Sequence, residues 1–122
     1  MVETATADRR IALWKTGEEL DLAGLELDAL PRDITNLKSL TMLTLEDNPL
    51  DDIRYLAGLT KLESLSLSGS EVSDLSALAD LTALHHLDLS FCAVEDLAGL
   101  EKLKALRSLH LYETPITSLE AI

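Results

Sequence analysis

A spacing of 22 residues is written four times into this chain, and it leaves few folds open. Leu40, Leu62, Leu84 and Leu106 open successive units; Leu43, Leu65, Leu87 and Leu109 follow three residues later. Two further on stand Leu45, Leu67, Leu89 and Leu111. The eighth position after each opener holds Asn48, Ser70, Cys92 and Thr114, and the tenth holds Leu50, Val72, Val94 and Ile116. A fixed period of this length builds stacked units that lean on one another, not one globular core. Inside a unit the apolar spacing changes character. Leu65-Ser66-Leu67 alternates as a strand does, whereas Val72, Leu75, Leu78 and Leu81 recur every third position, which suits a short helical or 3₁₀ return. Strand then lies beside strand in a parallel sheet, with return segments on the opposite face.

Composition narrows the partners. The chain has 122 residues, and apolar types make up 47% of it but aromatics only 3%, so leucine must supply the core. A formal net charge of −12, from 22 acidic and 10 basic residues, repels phosphate backbones and anionic membranes. It leaves a basic protein surface open as a partner, while the plain reading is that the acid keeps a leucine-rich solenoid soluble. Cys92 is the single cysteine, which excludes an intrachain disulfide. The first ten residues are polar and do not read as a secretory signal, and no run approaches the roughly 20 apolar residues of a membrane span. The expected location is cytoplasmic.

The frame Leu40-x-x-Leu43-x-Leu45-x-x-Asn48-x-Leu50 resembles the leucine-rich repeat family position for position, and the three later frames follow it, with Ser70 in place of the usual ladder residue. The resemblance covers residues 18–122, and its short returns are similar to the 22-residue bacterial-type subclass. It implies an α/β fold: a right-handed horseshoe solenoid with its parallel sheet on the concave face and short helical or 3₁₀ segments on the convex face. It also implies a sheet face that binds another protein.

Both ends depart from the repeat. The first unit runs 23 residues to the next register and carries Leu25 at the ladder place, which marks a transitional unit. Ahead of it, Thr6 to Gly17 reads as a helix capped by Thr6 and stopped by Gly17, with Ile11 and Trp14 on the face that covers the leucine core. Residues 1–17 are thus expected to form an N-terminal capping helix, and 18–122 about five repeats, the last incomplete. Since the pattern ends within a return segment, we expect a piece of a larger intracellular protein. The alternative is an assembly piece that makes a homo-oligomer through its C-terminal edge.

Few residues invite chemistry. Cys92 stands in the ladder register, where a thiol is an inert structural occupant. Asp52, Asp74, Asp96 and then Ser118 precede the return segments, where their oxygens cap backbone N–H groups. A single row of carboxylates lacks the oxygens of a calcium site. The outward sheet positions, Ser90 of the fourth unit and Ser108 of the fifth among them, grade from acid, through serines, to a patch of histidine and aromatic residues. Asp88 falls beside His110, with His86 one step along its strand, Tyr112 diagonally away and Phe91 nearby. His86, Asp88 and His110 are a conceivable zinc or base–orienter set, but an open sheet offers no water-excluding pocket. No cofactor or metal is expected, and the chain is not read as an enzyme. The favoured reading is a protein-interaction module whose contacts are His86, Asp88, Phe91, His110 and Tyr112, with Glu46 and Asp47 as an electrostatic rim for a basic partner.

Overall fold

The computed structural model describes residues 2–13 and 19–117, with side chains placed from 6 to 11 in the first segment. Among these residues one helix, α1 (Val2–Leu13), precedes five strands: β1 (Glu19–Asp21), β2 (Met42–Thr44), β3 (Ser64–Ser66), β4 (His86–Asp88) and β5 (Ser108–His110). The strands pair in parallel in chain order, and their registers carry the sequence period directly: Leu20, Leu43, Leu65, Leu87 and Leu109 lie side by side.

Each strand is short because the chain soon turns, yet its hydrogen bonding runs on past the strand. The N–H groups of Leu22, Leu45, Leu67 and Leu89 donate to Thr44, Ser66, Asp88 and His110 carbonyls of the next coil at 2.8–2.9 Å. Those of Gly24, Asp47, Gly69 and Phe91 then donate to Glu46, Ser68, Ser90 and Tyr112 at 2.7–2.9 Å. These last four donors, with Glu113 in the fifth coil, have φ between +53° and +77°. Every coil leaves the sheet through a left-handed residue.

The returns are 3₁₀ segments at Arg32–Asn36, Arg54–Leu56 and Ser76–Leu78, which bury Ile34, Leu56 and Leu78; the fourth return, after Val94, is made of turns. The aspartates act here as expected, but one residue earlier than a formal cap. Asp52, Asp74 and Asp96 each accept the N–H two residues on, from Arg54, Ser76 and Ala98, at 2.9–3.0 Å. The Ser76 N–H holds the Asp74 carboxyl below the usual carboxylate range. Ser118 lies outside the described residues.

Leucine fills the space between sheet and returns in one continuous core. Asn48 closes its first turn. It is 1% exposed; its Oδ1 accepts the Leu25 and Leu27 N–H groups, and its Nδ2 donates to the Leu22 and Leu45 carbonyls, all at 3.0 Å. The amide thus serves the preceding coil, which explains how Leu25 can occupy the ladder place there. One coil on, Ser70 and Cys92 share a hydrogen bond at 3.2 Å, and the Cys92 thiol donates to the Leu67 carbonyl at 3.0 Å. Leu106, Leu109, Leu111 and Ile116 of the fifth coil are only half-buried, since among the described residues a coil stacks on one side of it alone.

At the other end, Ala7 and Ile11 of α1 are buried in the leucine core, and the helix rests on the 32–36 segment. The helix starts at Val2, so Thr6 lies inside it instead of capping it. Alanines at 5 and 7 favour helix by intrinsic preference, which carries the helix past the expected start. Trp14 and Gly17 lie outside the described residues.

Candidate functional site

Alternation along each strand sends one leucine inward and its two neighbours outward. The outward row holds Glu19 and Asp21, then Met42 and Thr44, Ser64 and Ser66, His86 and Asp88, and Ser108 and His110. Its character changes between β3 and β4. On β3 every outward side chain is a serine; across β4 and β5 two histidines and an aspartate join the single serine Ser108.

The sheet brings most of the expected patch together. Asp88 and His110 are direct partners across β4 and β5, and His86 pairs with Ser108. Along β5 and beyond, Ser108 Oγ and His110 Nε2 share a hydrogen bond at 3.0 Å, while the His110 ring stacks on Tyr112 with centroids 6.4 Å apart and planes 24° from parallel. His110 is therefore held between two neighbours on its own ribbon. The Phe91 N–H donates to the Tyr112 carbonyl at 2.7 Å, which sets Phe91 beside Tyr112. These two are the most exposed large hydrophobic residues among those described, at 59% and 70%.

Two supports were not legible in advance. Asp88 Oδ1 accepts the Ser90 N–H at 2.9 Å, and the Ser90 hydroxyl accepts the Tyr112 N–H at 3.1 Å. Ser90 was expected to look outward, but it is buried. The chain is already swinging into its left-handed turn there, so strict alternation fails. Ser108 was in the outward row without a role, and only its two-residue offset from His110 could have marked it.

Glu46 and Asp47 stand two coils away, beyond β2. Glu46 is half-buried and accepts the Ser66 hydroxyl at 2.8 Å; Asp47 is exposed. Phe91 has φ +61°. Left-handed backbone costs an L-residue roughly 1–2 kcal/mol, and a bulky side chain there is an outlier. Gly69 takes the same position at φ +77° without that cost.

Among the described residues, no group of three His, Cys, Asp or Glu side chains is placed to hold a metal ion, so His86, Asp88 and His110 do not assemble as a zinc set. His86 instead meets His85 edge to face, with centroids 6.4 Å apart. On the return side, Arg54 lies over the Tyr55 ring at 5.8 Å and pairs with Asp52 at 3.2 Å, so that aromatic is engaged already. No helix among the described residues is long and apolar enough to cross a membrane.

Parallel in-register strands, a leucine interior and an asparagine-closed turn define a leucine-rich repeat solenoid. The family model for Leucine Rich repeats (2 copies) matches residues 38–80 and 82–122, and the chain belongs to that family. Its members generally serve as protein–protein interaction domains and are typically not enzymes. Two similar solved structures are internalins of Listeria monocytogenes. Internalin C2 shares 31% identity at a TM-score of 0.79 over 85% of this chain, and the internalin inlF shares 30% identity at 0.73 over 76%. The chain spans 46% of the first and 28% of the second. No curated protein sequence matches it significantly.

Proposed function

We propose that the β4–β5 end of the sheet face captures a partner protein, and that this chain is the recognition module of a larger protein. One observation carries the reading. Phe91 holds a left-handed conformation and stays 59% exposed, although the same place one coil earlier is a glycine. The unfavourable backbone opposes the free fold, and a large apolar side chain left in water contributes little to offset it. A partner that covers Phe91 and Tyr112 recovers what the free domain forgoes, because aromatic anchors on a rigid frame are the usual source of interface energy. His110, stacked on Tyr112 and bonded to Ser108, needs little ordering on binding.

The test is capture of a native partner by the immobilised domain, compared with the His110→Ala/Tyr112→Ala double variant. Both side chains are exposed, so circular dichroism melts should coincide while capture is lost. Undiminished capture by the double variant contradicts the assignment.

A further inference from the structure

The sheet face carries fixed charge of one sign. Among the described residues, the five strands and the left-handed turns that follow them carry Glu19, Asp21, Glu46, Asp47, Asp88 and Glu113 and no lysine or arginine, Arg107 standing just ahead of β5. The Arg10 guanidinium reaches from α1 to the Asp21 carbonyl, but that is at β1, the opposite edge of the sheet from Tyr112.

At the β4–β5 end this acid meets an open aromatic platform. Tyr112 is 70% exposed, backed by the stacked His110 ring, and Asp88 stands directly across from His110. Asp88 commits Oδ1 to the Ser90 N–H, while Oδ2 accepts no hydrogen bond from a described residue. An aromatic face one diagonal step across the sheet from a carboxylate with a free oxygen discriminates between cations. A guanidinium is planar, so it stacks on the ring while its edge N–H groups donate to the carboxylate. An ammonium is a hydrated point charge and gains only from the acid.

Resting on the reading of this face as the partner surface, we infer that the partner presents an extended basic segment whose arginine lies over Tyr112 and pairs with Asp88. The segment runs across the strands toward β2. From β4 to β2 is two strand spacings, about 9.6 Å. Extended chain covers that in roughly three residues. A second basic residue three positions from the first therefore comes to Glu46 and Asp47.

Fluorescence anisotropy on the full chain tests this with three labelled nonapeptides, identical except that positions two, five and eight are all arginine, all lysine or all glutamate. The arginine peptide should bind roughly fivefold tighter than the lysine peptide, and Tyr112→Ala should erase that margin without any change of charge. Asp88→Asn should weaken both basic peptides roughly tenfold. The same charge change at Asp51→Asn or Glu71→Gln, both exposed and off this face, should leave both unchanged. The glutamate peptide should not bind. Equal binding of arginine and lysine peptides, or arginine binding indifferent to Tyr112 and Asp88, overturns the inference. If native capture still depends on His110 and Tyr112 while the arginine peptide does not bind, the basic segment is wrong and the sheet-face reading stands.

Discussion

The third coil and the fourth share an interior and differ in their faces. Leu65 and Leu67 have their counterparts in Leu87 and Leu89, and Ser70 meets Cys92 in a shared hydrogen bond. Outward, Ser64 and Ser66 followed by Gly69 in the left-handed turn give way to His86 and Asp88 followed by Phe91. The third coil satisfies its backbone with the smallest residue that fits. The fourth places phenylalanine where the backbone favours glycine. The interior thus follows from stacking, and the face of the fourth coil requires another reason.

If that division is right, the largest stability effects belong to the interior. Asn48→Ala removes an amide that bonds five backbone groups of the first two coils, two donors and three acceptors. Leaving buried groups unpaired costs about 1–3 kcal/mol each where water does not reach them. We expect a loss of about 3–5 kcal/mol by urea unfolding, among the largest for a single change. A loss below about 1 kcal/mol would show that the ladder does not hold the coils together.

The smallest effect is on the returns. Hydrogen bonding to Ser76 lowers the Asp74 carboxyl in the folded chain. A depressed carboxylate stabilises the fold above its unfolded pKa, and that contribution fades as pH falls through the lower folded value. Asp74→Ala should therefore be slightly less stable than the parent at neutral pH, with the gap closing in acid below the ordinary carboxylate range. Melts of both proteins against pH check this; a gap that widens in acid would contradict the sign.

The same division explains what the sequence made legible. Stacking imposes a strict period on leucine, so the five-stranded sheet, its register and the Asp88–His110 pairing followed from spacing alone. The caps at Asp52, Asp74 and Asp96 were legible because side chain and target N–H are local. The left-handed turn was not. Only Gly24 and Gly69 advertise it, while Asp47, Phe91 and Glu113 adopt it under the hydrogen bonding of neighbouring coils. Ser90 was misplaced for the same reason, because that turn rotates it inward. The start of α1 eluded the reading because a threonine suited to capping stands inside a stretch with helical preference.

Phe91→Gly tests the central claim most directly, since it gives the fourth coil the residue of the third. Relief of the left-handed cost, about 1–2 kcal/mol, offsets the backbone entropy of glycine, about 0.5–1 kcal/mol, and the packing of a mostly exposed ring. The account predicts a melting temperature held or raised together with loss of partner capture. A variant that melts well below the parent, or that captures its partner undiminished, would contradict it.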